Sequence, residues 1–369
     1  MFNDIYRNKR VLLTGHTGFK GGWLAIWLKV LGAEVLGYAL DPPSSPNLWT
    51  VTALEDQIRH IHGDVRDYKT VESVFQDFRP EFVFHLAAQP LVRLSYEEPK
   101  TTFDTNVGGT VNVLEAVRQT PGVRVVVNVT SDKCYDNKEW IWGYRESDPL
   151  GGHDPYSASK GCAELVFQAY LKSFYAKAVP GITPIGAASV RAGNVIGGGD
   201  WGKDRLLPDC IRALSTNDPI SVRNPRAVRP WQHVLEPLRG YLLLGSRLWE
   251  RPDAYAGSWN FGPEGQSQLP VKDLVTRLIA LWGHGTWEDL SDPSAPHEAH
   301  LLKLCCDKAH GELGWRGVLT IDECLAMTAA WYKTYYSEAG PGDMYRFCVE
   351  QIQRYEEKAV GAFCGCDRE

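Results

Sequence analysis

Arg10-Val11-Leu12-Leu13-Thr14-Gly15-His16-Thr17-Gly18-Phe19-Lys20-Gly21 decides the fold: a short apolar run, then glycines spaced G-x-x-G-x-x-G, then apolar residues at helical spacing from Trp23 to Leu31. Arg10 to Thr14 reads as a first strand. Gly15, Gly18 and Gly21 let the backbone turn tightly between strand and helix and approach a pyrophosphate seated on the helix N-terminus. A glycine triplet alone is a weak signal, and the plainer alternative is a tight turn with no ligand. The strand before it and the helix after it stand where a dinucleotide site needs them.

The same rhythm continues outward from this turn. Glu34 to Ala39, Ile58 to His62, Phe82 to Leu86 and Val123 to Val129 read as further strands, with helices expected at Thr70 to Phe78 and Asn106 to Gln119. Tyr156 to Phe174 is a long amphipathic helix, and Ile185 to Arg191 a sixth strand. Short apolar strands alternating with helices predict an α/β protein with a doubly wound parallel sheet. After about residue 192 the pattern breaks into Gly, Pro, Trp and charge, with helices expected at Val271 to Trp282 and Ile321 to Tyr335. The expected division is a nucleotide-binding domain over 1–191, rejoined by a segment near 232–260, and a smaller C-terminal substrate-binding domain over 192–231 and 261–369.

With 369 residues, 44% hydrophobic and 23% charged, the chain has the composition of an ordinary globular protein. A formal charge of −6 argues against nucleic acid or an anionic membrane as partner, so any phosphate binding is local. No stretch reaches the roughly 18 apolar residues of a membrane helix, and the first ten residues lack the apolar run of a signal peptide. Nine cysteines, with no metal-type Cys/His set around Cys305-Cys306 or Cys364-Gly365-Cys366, read as reduced thiols of a cytoplasmic protein, and no metal is expected.

Two further motifs carry chemistry. Tyr156-Ser157-Ala158-Ser159-Lys160 places a phenol and an ammonium one helical turn apart, where the cation is expected to lower the phenol pKa toward a working base. The second Tyr-x-x-x-Lys, Tyr96 to Lys100, contains Pro99 and is taken as coincidence. Thr130-Ser131-Asp132-Lys133 follows the fifth strand, at the sheet edge where open α/β proteins bind ligands. There Ser131 can bond a substrate oxygen also touched by Tyr156. By itself Asp132-Lys133 is equally a surface ion pair. Asp41, after the second strand, is the candidate for the ribose hydroxyl, and the lack of any Arg before Arg59 favours NAD over NADP. Asp64 is a candidate for the adenine amine or simply a turn cap.

These residues resemble the extended short-chain dehydrogenases, and among them the nucleotide-sugar 4,6-dehydratases, over nearly the whole chain. The matching segments are Gly15 to Gly21, His85 to Gln89, Asn106 to Thr110, Ser131 to Lys133, Tyr156 to Lys160 and Arg191 to Val195. The resemblance implies a Rossmann-type fold and cofactor contacts from Thr17, Phe19, Lys20, Val65, Leu86, Ala87, Ala88, Gln89, Asn106, Thr130, Tyr156, Lys160 and Arg191. Lys133 departs from the commoner Thr-Asp-Glu of such dehydratases. That departure, the segment Gly15 to Gly21 and the segment His297 to Leu304 are similar to the branch acting on CDP-glucose, which implies that substrate.

The resemblance further implies that Tyr156 accepts the C4 hydroxyl proton as hydride leaves C4, with Lys160 holding the ribose. Lys133, or a water it orients, then takes the C5 proton, which requires a neutral amine. Asp132 in its acid form protonates the departing C6 hydroxyl. Arg93, Asn194, Arg205, Leu206, Arg223, Arg229, His297 and Glu298 are the implied substrate contacts, the arginines suited to gripping phosphate. His233 is assigned to structure rather than chemistry. A homodimer is implied through the helices near Asn106 to Arg118 and Tyr156. The alternatives are a nucleotide-sugar 4-epimerase or reductase on the same Ser131, Tyr156 and Lys160, a dehydratase for another nucleotide hexose, and a non-catalytic dinucleotide sensor.

Overall fold

The computed structural model describes residues 2–176, 184–263, 268–291 and 301–364. Its centre is a seven-stranded sheet built from β1 (Arg10–Thr14), β2 (Glu34–Ala39), β3 (Arg59–His62), β4 (Phe82–His85), β5 (Val125–Val129), β6 (Gly186–Arg191) and β7 (Gly257–Asn260). The strand order is β7-β6-β5-β4-β1-β2-β3, every neighbouring pair parallel. Parallel strands need crossover helices, which cover both faces, so runs such as Val125-Val126-Val127 are apolar in both directions. Val11, Leu13, Phe84, Val125 and Val127 face one core with Trp23 and Trp27 of α1 (Phe19–Val30) and Leu238 and Leu242 of α6 (Leu235–Glu250). Leu12, Val83, Val126 and Ala187 face a second core. There they meet α2 (Tyr68–Phe78), α3 (Gly109–Gln119) and α4 (Pro155–Tyr170).

The expected strands and helices of the first half all form, with ends shifted by a few residues. The helix leading into α3 passes through a π-turn at Asp104–Gly108, and α4 continues as one at Leu171–Tyr175. The second half holds more order than its Gly- and Pro-rich composition suggests. Unforeseen helices are α5 (Leu206–Thr216), the 16-residue α6 and α9 (Met344–Cys364), beside the expected α7 (Val271–Trp282) and α8 (Ile321–Tyr335). Helix α6 lies between the sheet and α9 with twelve of its sixteen residues buried, Glu236 and Arg239 among them, and Pro237, Gly240 and Gly245 weaken its reading as a helix. β7 adds a seventh strand where six were expected, its Gly257-Ser258-Trp259-Asn260 too short to stand out. Around the C-terminal edge of the sheet, Val228–Pro230 pairs antiparallel with Gln268–Pro270, and Ile220–Val222 pairs parallel with Trp287–Asp289. Among the described residues no helix is long and apolar enough to cross a membrane.

Candidate active site

Strand order reverses between β1 and β4, and the cleft opens at their C-terminal ends. Thr14 stitches that point: its hydroxyl accepts from Leu86 N and Ala87 N at 3.2 Å each and lies 2.7 Å from Nδ1 of His85. Gly15 has φ +75°, and a Cβ there would sit 2.7 Å from Ala87 N. At Gly21 a Cβ would run into the Gly15 carbonyl oxygen. The cradle is therefore one that only glycine can line. Gly18 caps α1 without any side-chain hydrogen bond, leaving the first N–H groups of the helix free for an anion. A dinucleotide pyrophosphate fits that cradle.

The other expected cofactor residues divide between cleft and scaffold. Thr17 Oγ1 donates to Leu40 O at 2.9 Å, tying the glycine turn to the end of β2, and the Phe19 ring lies against Gly197. Leu86, Ala87 and Ala88 are half-buried at the end of β4. Asn106 is a buried clamp: Oδ1 accepts from Gln89 N at 2.8 Å, and Nδ2 donates to Gln89 O and Ser159 Oγ. Asp41 lies beyond β2, well exposed and 3.6 Å from Nε2 of His62. Asp64 is held by Arg66 at 2.5 and 2.8 Å, and those bonds lower its pKa. Val65 is buried against Gly109.

The reacting cluster is assembled from two elements. After β5 the chain makes a single 3₁₀ turn at Asp132–Cys134, which Ser131 caps by accepting from Lys133 N at 3.2 Å. The same hydroxyl donates to Asp132 Oδ1 at 2.9 Å. Helix α4 starts at Pro155 behind an Asp154 cap, and Ser95 Oγ accepts from Tyr156 N at 3.1 Å. Ser131, Asp132, Tyr156 and Lys160 are all buried, while Lys133 is half-buried. Gly193, after β6, packs on the Asp132 carboxylate so closely that a Cβ has no room. Asp132 also faces a cavity of about 310 Å³ whose walls include Gly193, Pro230, Gly262, Lys303 and Asp307.

Electrostatics correct one expectation. Burial pushes the Tyr156 phenol up to about 12, and a hydrogen bond with Ser131 and the charge of Arg205 only partly offset it. Lys160 is itself drawn down to about 8 by burial, against the pull of Cys134 and Glu164. Helical spacing puts the two side chains on one face, but burial governs the phenol, and the cation that partly offsets it is Arg205. Lys20 reaches across from α1: burial draws it to about 8 against the attraction of Asp132, and its Nζ lies 5.9 Å from the Tyr241 ring.

Arg191 is the second correction. The resemblance implied a cofactor contact, yet its guanidinium is fully buried, bonding Glu164 at 2.7 Å and the Tyr135 hydroxyl at 2.6 Å. Glu164 also accepts from Thr130 Oγ1 at 2.5 Å and Ser189 Oγ at 2.8 Å. Thr130 is therefore tied to the same network. The pair locks α4 to the ends of β5 and β6, fixing Tyr156 relative to Ser131. Glu164, four residues after Lys160, had a readable signal in that spacing; Gly193 stood inside the matching segment Arg191 to Val195, while Tyr241 had no signal, because only the fold brings it to Asp132.

On the substrate side, Asn194 follows β6 with φ +43°. Arg93 and Arg223 converge on Asp204 at 3.2 and 3.1 Å, and Arg205, preceding Leu206 at the start of α5, pairs with Asp200 at 3.0 Å. Arg229 sits in a strand opposite Leu269, its Nη1 donating to Val228 O at 3.3 Å. His233 is buried edge-on to Trp23, and burial lowers its pKa to about 3. His297 and Glu298 lie outside the described residues. Among the described residues no group of three or more His, Cys, Asp or Glu side chains is placed to hold a metal ion.

The chain is 50% identical to the CDP-glucose 4,6-dehydratase of Salmonella typhimurium over 332 residues, 90% of this chain and 92% of that protein. A dTDP-glucose 4,6-dehydratase of Xanthomonas campestris is 27% identical over 351 residues, covering 88% of this chain and 93% of that one. Among solved structures, DesIV, a dTDP-glucose 4,6-dehydratase from Streptomyces venezuelae with NAD and TYD bound, superposes with a TM-score of 0.73 at 25% identity. It covers 89% of this chain and 99% of that chain. The pattern of the NAD dependent epimerase/dehydratase family matches residues 11–255. With its glycine cradle at the β1/β4 switch point and a Ser-Tyr-Lys cluster at the cleft edge, the chain belongs to the NAD dependent epimerase/dehydratase family.

Proposed function

We propose that this protein converts CDP-D-glucose to CDP-4-keto-6-deoxy-D-glucose and water on one bound NAD. The observation that carries the proposal is the Asp132-Lys133 turn standing beside Ser131 and Tyr156, because elimination needs an acid and a base that epimerisation does not. NAD in the glycine cradle supplies a hydride acceptor and, once reduced, the donor. Tyr156 takes the C4 hydroxyl proton while Ser131 bonds that oxygen, and Lys160 stands one turn further along the same helix face. Lys133, or a water it orients, removes the C5 proton that the new C4 carbonyl acidifies, then returns it to the same carbon. Asp132 delivers a proton to the C6 oxygen as it leaves. Arg93, Arg205, Arg223, Arg229 and Asn194 lie in the loops beyond the sheet edge, suited to the diphosphate and sugar.

The identity with the Salmonella protein supports the CDP-glucose assignment. Exposed Leu165 on α4 and Phe174 just beyond it support a homodimer through this face. The cysteines among the described residues are free thiols, which supports a cytoplasmic setting.

The test incubates purified protein, NAD and CDP-glucose with no added reduced cofactor, then follows the alkali-induced absorbance of a 4-keto sugar. UDP-glucose and dTDP-glucose serve as comparators. The chromophore should form fastest from CDP-glucose; loss of CDP-glucose without it would leave an epimerase instead.

A further inference from the structure

The chemistry above leaves a proton imbalance inside the protein. In each turnover Tyr156 gains one proton from the C4 hydroxyl, and Asp132 loses one to the departing C6 oxygen, which leaves as water. The C5 proton goes out to Lys133 and comes back, and the hydride leaves C4 and ends on C6. Before the next turnover one proton must leave Tyr156 and one must reach Asp132.

The two residues meet at one side chain. Ser131 lies beside the Tyr156 phenol, near enough to draw its pKa down, and its hydroxyl donates to Asp132 Oδ1 at 2.9 Å. All three side chains are buried, with solvent exposures of 8%, 7% and 5% for Tyr156, Ser131 and Asp132, and of the three only Asp132 borders the cavity described above. Among the described residues no other side chain is hydrogen-bonded to the Asp132 carboxylate. The remaining neighbours are Gly193, which packs on it, and Lys20 and Tyr241, which face it without a hydrogen bond to it.

Resting on the dehydratase reading, we propose that Ser131 is a proton wire that returns the proton collected at Tyr156 to Asp132, so the two residues share one proton through successive turnovers. The phenol donates to Ser131 Oγ as the Ser131 hydroxyl proton passes to Asp132 Oδ1. The Tyr156 O–H bond breaks as one forms at Ser131 Oγ, the Ser131 O–H bond breaks as one forms at Asp132 Oδ1, and the net charge of the trio is unchanged. The resting form, phenol with carboxylate, and the reactive form, phenolate with carboxylic acid, are tautomers. Conversion between them needs no proton from solvent. Burial, which holds the phenol high, favours the resting form.

Single-turnover and steady-state rates of Ser131→Ala and Ser131→Thr against the wild type test this. Ser131→Ala should lose some rate in the first turnover, through its missing bond to the sugar. Later turnovers should fall roughly 10²-fold further, the usual worth of a positioned proton donor, and small buffer acids should restore them. Ser131→Thr, which keeps a hydroxyl, should retain the wild-type ratio of later to first turnovers and show no buffer rescue, whatever its first-turnover rate. First and later turnovers reduced by the same factor, with no dependence on buffer concentration, overturn the wire. The same buffer dependence in Lys20→Met but not in Ser131→Ala reroutes the proton through Lys20 and also overturns it.

A readout without sugar uses the ultraviolet absorbance of phenolate as NAD binds, with proton release measured by calorimetry in buffers of different ionisation enthalpy. Wild-type phenolate should appear with no proton released. Phenolate matched by a released proton, or no phenolate at all, contradicts the shared proton. If wild type makes no 4-keto sugar even in its first turnover, the dehydratase reading fails, separately from the wire.

Discussion

At Tyr156 two forces oppose each other: desolvation lifts the phenol to about 12, and Ser131 and Arg205 draw it partway back. Whatever completes the shift must come from the loaded cleft. Tyr156→Phe should lower turnover by about 10²- to 10⁴-fold, the range for a lost general base, while NAD affinity measured by fluorescence titration stays near wild type. An unchanged rate would remove Tyr156 from the chemistry. Gly193 offers a sharper probe, because its missing Cβ is what lets the Asp132 carboxyl lie where it does. Gly193→Ala should displace that carboxyl and cut kcat by up to about 10²-fold through misplacement. KM and melting temperature should move little by comparison. Gly15→Ala should act on a different step: a side chain at φ +75° pressed against Ala87 should weaken NAD binding before it alters kcat.

Helix α4 carries both halves of the Tyr-Lys pair, and Glu164 on the same face anchors it to Arg191. Both charges are fully buried, so removing one leaves the other uncompensated. Glu164→Ala should cost about 3–5 kcal/mol in urea unfolding, in contrast to the surface pair Arg346 and Glu350, where loss of either partner should cost about 0.5 kcal/mol. Equal effects at the two sites would contradict a locking role for Glu164. The outer face of the same region is apolar where it meets solvent, with Leu165 59% and Phe174 50% exposed. Leu165→Glu should shift the protein toward monomer in analytical ultracentrifugation without disturbing the buried face. A wild-type protein that already sediments as a monomer would remove the proposed interface.

Across the molecule, acid sensitivity is written into buried histidines. His16, His85 and His233 are each held near a pKa of about 3 by burial, against 6.5 when exposed. Their folded values lie below the unfolded ones, so the stability they allow is complete above pH 6.5 and is lost as pH falls toward 3. Between those limits the unfolded chain binds up to one more proton per histidine, a slope of about 1.4 kcal/mol per pH unit for each. His85→Gln, which can keep a bond to Thr14, should flatten the acid limb of urea stability by about one proton. An unchanged slope would mean that His85 titrates normally.

The strands from β1 to β6 were legible because each is an apolar run of sheet length between turn signals, and the glycine turn because φ +75° at Gly15 and the contact at Gly21 exclude other residues. Helix α6 was not legible, since Pro237, Gly240 and Gly245 argue locally against a helix that packing nonetheless imposes; nor was β7, whose four residues declare a strand only beside β6. At the site, Ser131, Asp132, Tyr156 and Lys160 were readable because local geometry fixes their spacing on one turn and one helix. What the amino-acid order determined alone is the identity and local pitch of those groups, since covalent connectivity and helical repeat need no distant partner. Only the folded chain decided which of them are desolvated, that Arg191 is committed to Glu164, and that Gly193, Lys20 and Tyr241 surround Asp132. Desolvation and long-range contact belong to the packed interior, and no window of sequence contains them.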